Sequence, residues 1–148
     1  MNAALALRLG AVIELLLGLG HGIGYPWEPA APPASPELLG AVRTLHFDVL
    51  GVSRSYFDFH VGFGWMLEAY LLAHAILFWQ LGALASHERA AMRAIVGVLL
   101  LESLALTVLA AVFLFWIPTL MSGLIATCLA IAWIRLGRPR VAQSLPAS

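Results

Sequence analysis

Lysine is absent from this 148-residue chain, cysteine occurs once, and charged residues make up only 11% of it. Each scarcity excludes something. Its eight arginines are balanced by eight acidic residues, so no dense basic face exists for a phosphate backbone, and no nucleic-acid partner is expected. A lone Cys128 within an apolar run cannot form an internal disulfide, a cysteine metal pair or a redox dithiol, and it reads as packing. The dearth of charge, set against 61% hydrophobic residues and a mean hydropathy of +0.91, excludes a soluble domain. The class is a polytopic membrane protein. A cleavable leader is not expected either, because Arg8 and Glu14 interrupt the first apolar run and no small-x-small site follows it.

What is present is four apolar segments, roughly 5–24, 56–81, 94–117 and 119–134. About 20 helical residues cross a hydrocarbon core of about 30 Å, and no alternating strand pattern competes with helix. The expected fold is all-α: one membrane domain over 1–148, a transmembrane four-helix bundle with a short amphipathic helix in its first outer loop. Arg8, Arg89, Arg93, Arg135, Arg138 and Arg140 fall on one side of these spans, against Arg43 and Arg54 on the other. That asymmetry predicts both termini in the cytoplasm. Trp27 and Trp116 then mark the outer boundary, and Trp79 and Trp133 the inner one, leaving Trp65 within a span.

The outer connection, 25–55, begins with prolines at 26, 29, 32, 33 and 36 that impose an extended path. An interfacial helix over about 36–50 is expected to follow, capped by Ser35, with Leu38, Leu39, Val42, Leu45, Val49 and Leu50 on one face. Gly51 is its expected stop. Around Pro118 the other outer connection almost vanishes, which predicts a tight antiparallel hairpin of the last two spans.

Against this apolar background the buried ionisable residues stand out. Glu14, Glu68 and Glu102 each occupy a predicted span, where a charged side chain costs about 2.5–3.5 kcal/mol on insertion scales. Counted at 1.5 Å per residue from the outer helix ends, His21 and His60 lie about 5–6 Å deep and Glu14 and Glu68 about 15–18 Å deep. Glu14 and His21 also share a helical stripe, seven residues apart. An outward-facing pocket follows as an expectation: Glu68, Glu14 and His60 as acid–base or counter-charge groups, with His21, Arg54, Asp58 and Trp65 as ligand-binding residues. The structural alternative is that these groups only hold helices in register.

Other chemistries leave weaker traces. His21, His46 and His60 are suitable ligand types for a divalent metal, with Asp58 or Glu14 in support, but lack a tight ligand-spacing motif. His60 and His74 are fourteen residues apart, a spacing similar to two-haem cytochrome-b-type bundles, yet the last two spans contain no opposing histidine. One haem between His21 and His60 is the remaining arrangement. Ser55-Tyr-Phe-Asp58 has capping-box spacing, which favours a structural job for Asp58 over a catalytic one. Gly18/Gly22 and Gly20/Gly24 form small-xxx-small pairs, joined by Gly62 and Gly64; they predict close helix contact, or room for a flat ligand beside His21.

Leu17-Gly-Leu-Gly-His-Gly-Ile-Gly24 and Arg54-Ser-Tyr-Phe-Asp-Phe-His-Val-Gly-Phe-Gly64, continued by Trp79-Gln-Leu-Gly82, resemble the signature stretches of a family of small bacterial four-span integral membrane proteins. The resemblance covers the first two spans. It implies a four-helix inner-membrane fold and attention to His21, Arg54 and Asp58, and it brings no activity with it. His60 departs from that pattern, which often has tyrosine there. His60-Val-Gly-Phe-Gly-Trp65 is faintly similar to a stretch of the sterol-isomerase and sigma-2-receptor superfamily, whose bundles handle cationic lipophilic ligands. Glycine at 64 replaces that family's glutamate, so Glu68 would have to serve from a turn deeper.

Three functional readings emerge from the sequence. The first is a bundle that binds or acts on a small lipophilic molecule. The second is an interaction subunit, binding a protein partner or its own copy, whose polar groups fix helix packing. The third is a haem or metal redox protein.

Overall fold

The computed structural model describes residues 1–24, 36–87 and 89–138. Its elements run α1 (Ala3–Gly24), α2 (Pro36–Thr44), β1 (His46–Val49), β2 (Val52–Ser55), α3 (Tyr56–Leu84), α4 (Arg89–Phe113) and α5 (Trp116–Gly137). Four helices, α1, α3, α4 and α5, are long and apolar enough to cross a membrane. They form a helical bundle in which α1 packs against both α3 and α5, and α5 against α4. The spatial order is therefore α3, α1, α5, α4. Although joined by a short turn, α3 and α4 make few close backbone approaches.

Packing is concentrated at the arginine-rich end. Leu7 and Ala11 from α1, Phe78 and Leu81 from α3, Val96 and Leu99 from α4, and Leu129 and Ala132 from α5 interlock there in the buried core. Two guanidiniums close this end against aromatic rings: Arg8 lies 5.4 Å from the Trp79 ring centre and Arg93 lies 4.4 Å from that of Trp133. Such stacking lets a cation sit at the edge of an apolar core with its stem buried. Arg89 reaches the C-terminal carbonyls of α5, donating to Arg135, to Leu136 and, at 3.1 Å, to Arg138. The last carbonyls of a helix lack their i+4 N–H partners, and besides the Arg138 N–H that reaches the Arg135 carbonyl at 3.4 Å the Arg89 guanidinium serves as a cap.

Two expectations are corrected. The break between the last two spans falls at Leu114–Phe115, not at Pro118, which lies inside the first turn of α5. Proline is compatible with that turn because its missing N–H is one that has no intrahelical acceptor. The outer helix, expected to reach about residue 50, ends at Thr44, and residues 46–55 form an antiparallel hairpin pairing His46 with Ser55 and Val49 with Val52. Leu50 and Gly51 make its two-residue turn with φ of 51° and 83°. Positive φ at both positions matches the right-handed twist of the strands, and glycine meets that demand where leucine is strained. The expected cap Ser35 and the prolines before Pro36 lie outside the described residues, while Pro36 does open α2.

The hairpin and α2 rest on the N-terminal part of α3. Phe47 stacks with Phe59 at 5.6 Å between ring centres and meets Tyr56 at 4.9 Å, and Arg43 covers Phe57 at 4.8 Å. The capping box is present as expected: Ser55 Oγ accepts from the Asp58 N–H at 3.1 Å, and Asp58 Oδ2 accepts from the Ser55 N–H at 2.8 Å.

Candidate functional site

Close approaches between α1 and α3 fix their relative height. A Cβ at Gly18 would lie 3.4 Å from Leu71 Cβ, one at Gly22 would lie 3.1 Å from Glu68 Oε1, and one at Gly82 would lie 3.3 Å from the Ala4 carbonyl. Glu68 therefore stands level with His21–Gly22, and the first nine residues of α3, 56–64, rise beyond the end of α1 at Gly24. The depth count from helix ends assumed level ends and is corrected accordingly. His60 lies eight residues outward of Glu68, about 12 Å along the axis, and does not share a depth with His21. Glu14 lies seven residues inward of His21, about 10 Å, and is not level with Glu68.

The polar interior consequently has two tiers. In the upper one, His21 Nδ1 and Glu68 Oε2 are 3.0 Å apart between α1 and α3, with only 14% and 12% of their side chains exposed. A side chain at 22 would crowd the Glu68 carboxylate, which would have to give by a few tenths of an ångström. Of the two small-xxx-small pairs, Gly18/Gly22 faces α3, whereas Gly20 and Gly24 have nothing within 4 Å.

The lower tier joins α3 to α4 where their backbones stand apart. Tyr70 donates its hydroxyl to Glu102 Oε1 at 2.8 Å, and His74 Nε2 lies 3.9 Å from Glu102 Oε2. Tyr70, His74 and Phe78, spaced four apart on one stripe of α3, are in ring contact at 4.0 Å and 5.6 Å. Glu14 from α1 completes the cluster. It is 4% exposed and makes no hydrogen bond among the described residues. The Glu102 side chain is 38% exposed, so the seam between α3 and α4 opens sideways onto it. A carboxylate held by a tyrosine hydroxyl and lying beside an imidazole can pair with a cation or exchange a proton with a polar group brought to the seam.

Tyr70, the partner of Glu102, is not among the residues that stood out in the sequence. A signal existed: Tyr70 and His74 are an i, i+4 pair on the helix that also carries Glu68. What the sequence could not supply is the height of α4 beside α3.

The other expected site residues lie elsewhere. Arg54 and Asp58 line one shallow groove of about 410 Å³ between the hairpin and α3, together with Val49, Val52, Phe59 and Phe63. Asp58 is ten residues, about 15 Å, outward of Glu68 and is committed to the cap. Arg54 donates to the Ser53 carbonyl at 2.8 Å. His60 stacks on Phe57 at 6.1 Å, and His46 Nδ1 bonds the Thr44 carbonyl oxygen at 2.8 Å. Trp65 is half exposed on the outer part of α3. Among the described residues no group of three or more His, Cys, Asp or Glu is arranged to hold a metal ion, and His21, His46 and His60 are not brought together as one. Cys128 is buried, with its Cβ beside Gly10.

No protein-family model, curated protein or solved structure matches the chain. The resemblances carried by 17–24 and 54–64 therefore rest on those residues alone.

Proposed function

We propose that this membrane protein binds a small lipophilic molecule with a cationic head, an amine, taken laterally from the bilayer into the seam between α3 and α4. The observation that carries the reading is the Glu102 carboxylate, held by Tyr70 yet partly open, with a second carboxyl, Glu14, buried on α1. Intramembrane carboxylates are expensive, and replacing buried ionic groups with apolar ones is often neutral or stabilising. Three of them in one small bundle are best explained by use. An ammonium entering from lipid would meet Glu102, whose carboxylate Tyr70 and His74 orient, with the Glu14 carboxylate as a second counter-charge. The apolar tail would lie against the outward faces of α3 and α4. The His21–Glu68 pair closes the upper side of this interior and holds α1 against α3.

The test uses a photoactivatable long-chain tertiary amine and a neutral analogue of equal length, applied to the protein in lipid nanodiscs. Labelling by the amine is expected on peptides of α3 and α4 around 70–74 and 99–106, and Glu102→Gln should lower it at least about tenfold, as loss of a desolvated ionic contact implies. Equal labelling by both probes, or undiminished labelling of the variant, would refute the site.

A second reading is favoured by one feature. The outer head exposes Leu38, Leu45 and Leu50, the last completely, beyond the end of α1. Those side chains would suit a protein partner, making the chain an interaction subunit. We propose that both termini lie in the cytoplasm, on the distribution of its arginines, and that the membrane is a bacterial inner one, on the resemblance described above.

A further inference from the structure

The four helix ends at the arginine-rich side enclose a groove of about 620 Å³, whose walls include Ala3, Ala4, Ala85, Arg89, Arg135 and Arg138. The seven described arginines divide by what occupies them. Arg8 and Arg93 cover tryptophan rings, Arg43 covers Phe57, Arg54 bonds a carbonyl, and Arg89 caps α5. Arg135 and Arg138 alone have side chains with no hydrogen bond, ion pair or ring contact among the described residues, and both are exposed on this groove. Among the described residues that line it, none is acidic.

We infer that this groove binds the phosphate headgroup of an anionic phospholipid. Arginine presents a planar fork of donors that matches a phosphate bidentately. Two unoccupied guanidiniums with a third fixed beside them make a cradle for one or two phosphates. The alanine walls favour a lipid over free phosphate, since they offer apolar surface on which the glycerol and upper acyl carbons can lie. Depth agrees: Trp79 and Trp133, ring-stacked one or two turns away, mark the membrane boundary at the same end. Basic pockets between helix ends are a recognised chemistry for such headgroups. This inference is independent of the amine site in the α3–α4 seam.

Native mass spectrometry of the protein from nanodiscs of equal phosphatidylglycerol and phosphatidylcholine tests it. The wild type should retain the anionic lipid in preference, and the double variant R135Q/R138Q should lower that preference roughly thirty-fold, given the contribution of each arginine at a charged surface. Arg43→Gln, at the opposite end, should leave it unchanged. Equal retention of both lipids by the wild type overturns the inference without any variant, as does a preference that survives the double substitution. Inorganic phosphate is the final arm: displacement of the lipid by phosphate alone at millimolar concentration would show a free-anion site and overturn the lipid assignment.

Discussion

Gly22 lies where α1 passes closest to the Glu68 carboxylate, and it separates two explanations of glycine on this helix. A methyl group there would stand 3.1 Å, 3.2 Å and 3.3 Å from Oε1, Cδ and Oε2 of Glu68. Gly22→Ala should displace the carboxylate from His21 and destabilise the protein by about 1–3 kcal/mol, as overpacking does, seen as a lower midpoint of thermal unfolding in detergent. Gly20→Ala, with open space at its Cβ, should be neutral or raise that midpoint by the alanine preference for helix. Equal effects at both positions would contradict the packing. The glycines themselves were legible in the sequence, but the pairs 18/22 and 20/24 lie about 200° apart around the helix. Spacing alone cannot tell which stripe meets a neighbour. Ser55 and Asp58 were fully legible because a capping box is local, needing only residues three apart.

Among the elements, α3 carries the most that local pattern did not reveal. At 29 residues, about 43 Å, it exceeds the 22 residues and about 33 Å of α1, and its outer turns project into the head formed by α2 and the hairpin. Depth counting failed because apolar aromatic residues such as Phe57, Phe59 and Phe63 continue the hydrophobic run past α1 whether lipid or a protein head covers them. The hairpin was missed for a similar reason: Leu45, Val49 and Leu50 fit a helical stripe, and the turn signal was a Leu-Gly pair, not the Asn-Gly expected of such turns. Between α3 and α4 the tie is made by side chains, so it should be measurable as such. A double-mutant cycle with Tyr70→Phe and Glu102→Gln should give a coupling of about 0.6–1.7 kcal/mol, the range for hydrogen bonds between membrane helices. Additive effects would mean that the Tyr70 hydroxyl and the Glu102 carboxylate do not meet in the bilayer. Loss of this tie should also widen the seam, read as a longer spin-label distance between the outer halves of α3 and α4.

Across the whole molecule, tight apolar packing and most of the positive charge share one end, while polar residues occupy the interior above it. Segment count, helical class and this segregation of arginine were all readable from composition and spacing, because hydrophobic length is what a bilayer selects. Orientation is the property the bundle alone does not carry, and the arginines are what the proposed orientation rests on. Arg8 and Arg93 are anchored on Trp79 and Trp133, so their charges cannot shift along the helices without breaking ring contacts. Arg89, Arg135 and Arg138 gather at the same end, against Arg43 and Arg54 at the other. Since an excess of arginine near span ends is retained in the cytoplasm, a reporter active only in the cytoplasm should function when fused after Ser148. A reporter active only outside should function when inserted within residues 30–35. The reverse pattern would put the α3–α4 seam's polar tier and the arginine groove on exchanged sides of the bilayer. Substituting both Arg135 and Arg138 by glutamine leaves Arg8, Arg89, Arg93 and Arg140 in place, four against two. Reporter activities should therefore be unchanged in that variant, so any loss of anionic lipid from it reports on the groove and not on an inverted protein.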